Sequence, residues 1–140
     1  MKESLIVDTV TEYLFDQSFR VVTELPFLQR HIDIVGYHDG IGAVRAIEAK
    51  ISNWKVAIQQ AVTCLLFADE VYIAMPTQYV HRVSTVEIDR FGIGLLAVNG
   101  SIEIIHPARF SRYATEYYRN RAIEQFQRLE LLRQGGIQYE

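Results

Sequence analysis

Three charged residues lie in two apolar runs and carry the side chains that a metal-assisted reaction needs. Asp33 lies within the run 30–35, and Glu48 and Lys50 lie within the run 43–51. An unpaired carboxylate within an apolar run carries a large desolvation cost, so Asp33 requires a partner or a metal ion. Two carboxylates with an amine beside them predict a site for a hard divalent cation, Mg²⁺ or Mn²⁺.

The alternation of side chains along the second run brings Glu48 and Lys50 together. Every second side chain of a strand points to the same face, so both residues share a face with Val44 and Ala46. That face is apolar at its start and charged only at its end. Open α/β sheets bind ligands at the carboxyl ends of their strands. We therefore expect a site at this end of the strand.

The residues Asp33, Glu48 and Lys50 resemble the motif of the PD-(D/E)XK nuclease superfamily, which includes restriction-endonuclease-like and Holliday-junction-resolvase-like proteins. The resemblance implies that Asp33, Glu48 and the backbone carbonyl of Ala49 hold Mg²⁺ or Mn²⁺. It also implies that Lys50 positions the attacking water. The proline that names the motif is absent from this chain. The alternative for the three residues is a structural ion-pair cluster at a sheet edge.

The order of apolar segments predicts an α/β fold. Their spacing indicates a helix over 3–16, strands over 19–25, 30–38 and 43–51, a helix over 54–67 and a strand over 71–75. We expect Pro26 to end the first strand, Asp39-Gly40 to turn an antiparallel hairpin, and Ser52 or Asn53 to cap the second helix. This αβββαβ order matches the restriction-endonuclease-like core, a mixed β-sheet flanked by helices.

The rest of the chain adds elements to that core. We expect a helix from Thr77 to a stop at Gly92, and a C-terminal hairpin of strands 93–98 and 102–105 turned at Asn99-Gly100. A long helix over 113–133 follows. The prediction is a single domain over 1–134 with a flexible tail over 135–140.

Several further residues are candidates for the site. Glu12 resembles a glutamate that completes the acidic site in resolvase-like members, and is otherwise a solvated acid. Gln60 resembles an accessory glutamine of several nuclease branches, although a glutamine on a helix surface is common. Arg30, His31 and Lys55 are candidate nucleic-acid contacts, with a solvated lysine as the alternative for Lys55.

Composition limits the class of protein. The chain is 140 residues long and 49% hydrophobic, which is typical of a globular domain, and its net charge of −3 is not that of a basic nucleic-acid binder. The single cysteine, Cys64, indicates a reducing compartment, and we expect a cytoplasmic protein without a membrane segment or an organic cofactor. Six late arginines either contact DNA or pair with neighbouring glutamates on the last helix: Arg109, Arg112, Arg119, Arg121, Arg128 and Arg133.

These observations predict a Mg²⁺-dependent endonuclease or resolvase that hydrolyses DNA phosphodiester bonds. The alternative is a catalytically silent nuclease-fold module that binds or regulates a protein or DNA partner. We also expect a homodimer, because the last helix offers much apolar and aromatic surface: Tyr113, Tyr117, Tyr118, Phe126, Leu129 and Leu132.

Overall fold

A six-stranded mixed sheet, flanked by helices, organises the molecule. The computed structural model describes the backbone of residues 1–138 and the side chains of residues 1–133. The strands lie in the order β1-β2-β3-β4-β5-β6. Strands β3, β4 and β5 run parallel, whereas β1 with β2, β2 with β3, and β5 with β6 pair antiparallel.

The element bounds follow the predicted αβββαβ order and the added C-terminal elements. The helices are α1 (Glu3–Asp16), α2 (Trp54–Cys64), α3 (Thr85–Phe91) and α4 (Glu116–Gln138). The strands are β1 (Arg20–Phe27), β2 (Arg30–His38), β3 (Ala43–Ala49), β4 (Glu70–Pro76), β5 (Gly94–Val98) and β6 (Ile102–His106).

Two apolar clusters cover the two faces of the sheet. Helix α1 packs Ile6, Val10 and Leu14 on one face, together with Ile47 and Ala49 of β3. The other face carries the larger cluster, in which α2, α3 and α4 meet the remaining sheet residues: Ala57, Ala61, Ile88, Ala122 and Phe126 with Val35, Ala46 and Ile73. Successive residues of β3 alternate between the two clusters, as the period of a strand requires.

The connection from β3 through α2 to β4 places the end of β3 at a helix start. The Asn53 side chain accepts a hydrogen bond from the backbone N–H of Val56 at 3.3 Å, so Asn53, one of the two predicted caps, begins α2. Strand β4 then returns parallel to β3 and is buried from Val71 to Pro76. The prediction of a strand covered on both faces is confirmed.

Among the predicted boundaries that were wrong, two have a clear physical reason. Pro26 does not end β1, because β1 is an edge strand, where a residue without a backbone N–H costs no ladder hydrogen bond. Thr77 does not begin a continuous helix, since residues 77–82 form a 3₁₀ turn and Ser84 caps a separate helix that ends at Gly92. A side-chain hydrogen bond from the backbone N–H of Glu87 to Ser84 fixes that second start.

Helix α4 is held across the sheet by arginine contacts. The guanidinium of Arg119 contacts Asp69 at 3.2 Å, that of Arg20 contacts Glu130 at 2.5 Å, and that of Arg133 donates to the carbonyl oxygen of Thr23 at 2.7 Å. The helix begins at Glu116 rather than at residue 113 and continues to Gln138, past the predicted end at residue 133. The predicted tail over 135–140 is therefore helical as far as Gln138, and its last two residues lie outside the described part of the chain.

Within the described residues, no helix combines the length and apolarity that crossing a membrane requires.

Candidate active site

The two candidate carboxylates lie side by side at the carboxyl end of β3. The β2–β3 register ends with Ile34 opposite Ile47, so Asp33 and Glu48 are the next residues on the two strands. The Asp33 Oδ2 atom accepts a hydrogen bond from the backbone N–H of Ala49 at 2.8 Å. This bond fixes the Asp33 carboxylate at the end of the neighbouring strand, beside Glu48.

Glu48 is the one charged residue, among those with described side chains, that is buried as deeply as the core. It is 1% exposed and lies against α2. Its Oε1 atom is 3.0 Å from the Arg30 guanidinium and 3.6 Å from the Cys64 sulfur. Its Oε2 atom is also buried but has no hydrogen-bond partner among the described residues. One oxygen of this carboxyl is thus satisfied, and the neighbouring Asp33 carboxyl lies within side-chain hydrogen-bond reach of Glu48.

Arg30 connects Glu48 to α2. One guanidinium nitrogen contacts Glu48, and the other donates to the Gln60 backbone carbonyl at 3.0 Å and to Thr63 Oγ1 at 2.7 Å. We predicted Arg30 as a nucleic-acid contact, but its guanidinium is engaged with these interior groups. It supplies the positive charge nearest to Glu48 in the described structure, where desolvation strengthens an ion pair.

The electrostatics of the site follow from this burial. Burial raises the pKa of Glu48 to about 7, and the neighbouring Asp33 carboxyl adds to the rise, while Arg30 opposes it. Burial, together with the negative charge of Glu48, also raises the pKa of the Cys64 thiol. The thiol therefore stays protonated and serves Glu48 as a weak hydrogen-bond donor. Two carboxyls in such a position require a proton or a cation between them.

Lys50 follows directly after the last residue of β3. Its backbone N–H donates to the carbonyl oxygen of Ala74 at 3.1 Å, which continues the pairing with β4 by one residue. The Lys50 side chain is half-buried. It takes part in none of the salt bridges formed by the described residues. The predicted strand over 43–51 ends at Ala49, one residue before Lys50, and the role of Lys50 stays a prediction.

The structure does not bring Glu12 to Asp33 and Glu48. Glu12 is exposed on α1, where it lines a groove with Gly100 and Ser101 of the β5–β6 turn. Helix α1 covers the face of the sheet that carries Ile47 and Ala49, whereas Glu48 contacts α2 on the other face. The sequence alone left open which face of the sheet α1 covers, and this choice decides where Glu12 lies.

The remaining predicted site residues differ in their exposure and in their distance from the Arg30–Glu48 pair. Gln60 has a buried side-chain oxygen without a partner among the described residues. His31 is exposed, with Nδ1 3.8 Å from the Glu24 carboxylate. Lys55 is exposed, and its ammonium lies 5.6 Å from the centre of the Trp54 ring. Of these, only Gln60 comes near the Arg30–Glu48 pair.

Sequence reasoning missed the contribution of α2 to the site. Thr63 and Cys64 both contact the Arg30–Glu48 pair, yet Cys64 was predicted only as a small core residue, which its full burial bears out. Their spacing in the sequence could have indicated this contribution. Thr63 and Cys64 follow Gln60 by three and four residues, so the three side chains are neighbours on one face of the helix.

A divalent cation fits the donors at this site. Asp33 and Glu48 supply carboxylate oxygens, and the buried Glu48 Oε2 atom is an oxygen without a partner among the described residues. Hard oxygen donors of this kind suit Mg²⁺ or Mn²⁺. The described residues contain no cluster of three or more His, Cys, Asp or Glu side chains that could hold a metal. A cation here would therefore depend on the two carboxylates together with backbone or solvent oxygens.

The raised pKa of Glu48 predicts a pH dependence of stability. The folded protein holds this proton more tightly than the unfolded chain, whose glutamate titrates near 4.5. The free energy of unfolding should therefore fall as pH rises from about 4.5 to about 7 and level off above it. Glu48→Gln should remove a fall on the order of 2–3 kcal/mol. Denaturant unfolding with EDTA at about pH 5 and about pH 8 measures the difference.

Glu103→Gln, at an exposed position of β6, is the matched control and should keep the dependence of the parent. If the parent and Glu48→Gln lose the same stability between the two pH values, Glu48 is ionised in the folded protein throughout and the assigned shift is wrong.

Comparison with known proteins supports the fold alone. No family model matches the chain, and no curated protein matches it. Among solved structures, the chain is similar to the SPO1766 protein of unknown function from Silicibacter pomeroyi, with a TM-score of 0.77 and 19% sequence identity. The likeness covers 99% of this chain and 92% of that one. At this level of identity, the similarity establishes a shared mixed α/β architecture.

Proposed function

We propose that this protein is a metal-dependent nuclease that hydrolyses DNA phosphodiester bonds on a restriction-endonuclease-like core. The observation that carries the proposal is the pairing of the half-buried Asp33 carboxyl with the fully buried Glu48 carboxyl, one oxygen of which has no partner among the described residues. A buried acid without a full set of partners is costly to stability. Its retention at a strand end is typical of a site that binds a ligand.

The element order supports the same proposal. The chain follows αβββαβ, and the acidic pair lies on the two adjacent strands of the hairpin β2–β3, with Asp33 in the first half of β2 and Glu48 next to the last residue of β3. In this reading, Asp33 and Glu48 stand at the positions of the two acids of the PD-(D/E)XK motif, and Lys50 stands at the position of its lysine. The β4 and β5 strands and the late helices then extend the core.

Each residue has a distinct part in the proposed reaction. Asp33, Glu48 and the backbone carbonyl of Ala49 would hold Mg²⁺ or Mn²⁺. The chemistry that the ion supplies when bound is polarisation of the scissile phosphate and activation of a water molecule. Lys50 would orient that water by hydrogen bonding and offset the negative charge that builds on the phosphorane oxygens. Arg30 would hold the Glu48 carboxylate in place through its anchor on α2.

One observation favours a second function, a nuclease-fold module that binds DNA or a protein partner without turnover. The Arg30 guanidinium lies 3.0 Å from Glu48 Oε1, so a positive charge already accompanies this acid. A permanent ion pair there would make the site a structural element. The two functions differ in whether a metal ion supports cleavage.

The proposed nuclease predicts cleavage that requires Mg²⁺ or Mn²⁺ and stops with EDTA. Asp33→Asn, Glu48→Gln and Lys50→Met should each lower the cleavage rate by at least ~10²-fold, because each removes a group that acts on the transition state. Labelled single strands, duplexes, flaps and four-way junctions, separated on denaturing gels, provide the measurement.

Asp8→Asn, an exposed acid on α1, is the control for the Asp33 variant and should cleave like the parent. Cleavage that survives both carboxylate substitutions would place the activity elsewhere. A folded parent that cuts no substrate with either metal would favour the silent module.

The proposal also includes a homodimer, although less apolar surface of α4 is exposed than the sequence predicted. Phe126 lies in the core of its own chain, and Tyr118 and Leu129 pack partly against that core. Leu131 and Leu132, near the end of α4, are 68% and 64% exposed and offer apolar surface to a second copy. A closed symmetric pair would use this surface on both subunits.

Light scattering should give a mass near twice the 16.2 kDa of the chain. Leu131→Gln combined with Leu132→Gln should shift the mass toward one chain, because the pair loses apolar burial. Ile41→Gln, at an exposed turn position, should leave the mass unchanged. A parent that scatters as a single chain at micromolar concentration contradicts the dimer.

A further inference from the structure

A polar groove lies between α4 and the end of β1. Its volume is about 260 Å³, and it is lined by Pro26, Phe27, Arg121, Glu124, Gln125 and Arg128. Arg121, Gln125 and Arg128 follow a spacing of four and three residues, so they form one stripe along the helix. The groove is therefore walled on one side by a helix face that carries two guanidinium groups.

The two arginines of the groove differ from the other arginines that contact the helix. Arg20, Arg119 and Arg133 hold α4 to the sheet through carboxylates or a backbone carbonyl. By contrast, Arg121 and Arg128 are exposed, and the salt bridges of the described residues include neither. Their charges are thus available to a ligand.

From the sequence, we considered that the arginines of α4 pair with glutamates of the same helix. Arg121 and Arg128 form no such pair in the described structure. Glu124 lines the same groove, but it forms no salt bridge among the described residues, and Glu130 contacts Arg20 on β1. The groove keeps a net positive charge of two arginines against one glutamate. This charge is local, on a chain whose overall charge is −3.

An aromatic ring continues the stripe. The Arg121 guanidinium lies 5.5 Å from the centre of the Tyr117 ring, and Tyr117 is 63% exposed. Exposed tyrosine next to arginine combines a flat stacking surface with a phosphate-binding fork, which is the combination that grooves for single nucleic-acid strands use.

The groove is connected to the candidate active site through the β1–β2 hairpin. Phe27, in its wall, pairs across the β1–β2 hairpin with Arg30. Arg30 in turn contacts Glu48 at 3.0 Å. The Phe27–Arg30 strand pair and the Arg30 side chain thus lie between the groove and the two carboxyls. A phosphodiester chain held against Phe27 would therefore pass beside the strand pair that carries Arg30.

We propose that the groove lined by Arg121, Gln125 and Arg128 binds the phosphodiester backbone of the nucleic-acid substrate beside the cleavage site. This inference rests on the proposed nuclease function and names the surface that would hold its substrate. The two guanidinium groups contact phosphate oxygens, the Gln125 amide donates a hydrogen bond, and the Tyr117 ring offers a stacking surface for a base.

Fluorescence anisotropy with a labelled oligonucleotide, single-stranded and as a duplex, tests the groove in EDTA, where no metal-dependent cleavage competes with binding. Arg121→Gln combined with Arg128→Gln should weaken binding by about tenfold or more at low salt. It should also make the plot of log affinity against log salt shallower by roughly 1.5, since each lost phosphate contact contributes ~0.7–0.9 to the slope.

The charge-matched control is Arg90→Gln combined with Arg112→Gln. Both residues are exposed, Arg90 in the last turn of α3 and Arg112 beside Ser111, whose backbone N–H bonds to Asp69 next to the start of β4. This control should bind like the parent. It lowers the net charge by the same amount as the groove variant, but its two positions lie at the other end of the parallel strands, away from the groove.

Three outcomes would overturn the groove: a parent without measurable binding, equal binding by the groove variant and the parent, or equal losses in the groove variant and the control. The result is separable from the proposed function. If the parent cleaves with metal and the groove variant binds and cleaves like the parent, the nuclease function is supported and the groove proposal is contradicted. If the groove variant binds more weakly but the parent does not cleave, the groove proposal is supported and the nuclease function is contradicted.

Discussion

A carboxylate enclosed between a sheet and a helix must be paired, protonated or bound to a cation, because water no longer solvates it. Glu48 is in this position, with Asp33 beside it on the next strand. Arg30 balances one Glu48 oxygen, and the second is left without a partner among the described residues. The resulting rise of the Glu48 pKa to about 7 means that a proton competes near neutral pH for the place that a cation would take.

The fold holds this arrangement from three directions. The β2–β3 hairpin fixes the two carboxylates in register, and the Ala49 N–H holds Asp33 at 2.8 Å. Helix α2 closes the site from one face and anchors Arg30 through Gln60 and Thr63. The crossover to β4 ties the end of β3 into the parallel part of the sheet. A site built on such elements is rigid, which suits residues that must hold an ion in a defined geometry.

Local pattern predicted the elements well, because each signal is a property of neighbouring residues. The αβββαβ order, the Asn53 cap and the Gly92 stop all follow from spacing or side-chain chemistry within a few positions. One error arose where tertiary position decides, since Pro26 is tolerated because β1 lies at the sheet edge. The break before α3 has a local cause, the cap at Ser84, which the prediction of a helix from Thr77 did not include.

The candidate site was predicted only in part, because local pattern reports on neighbouring residues and not on tertiary contacts. Strand alternation could place Asp33 and Glu48 at one end of the hairpin. Strand alternation could not show that the long Arg30 side chain turns inward to Glu48, because an arginine at the start of a strand can equally well extend into solvent. Glu12 was misplaced because its position depends on which face α1 covers, and that is fixed by packing of the whole layer.

The central claim is that Asp33 and Glu48 together bind one divalent cation, and direct titration with Mn²⁺ tests it best. Calorimetry, or the loss of the free Mn²⁺ signal in electron paramagnetic resonance, should show a single site per chain. Asp33→Asn and Glu48→Gln should each weaken binding by at least ~10-fold, as removal of a metal ligand or its support does. Asp8→Asn should leave it unchanged. Absence of Mn²⁺ binding to the folded parent, or binding unaffected by both carboxylate variants, would contradict the account.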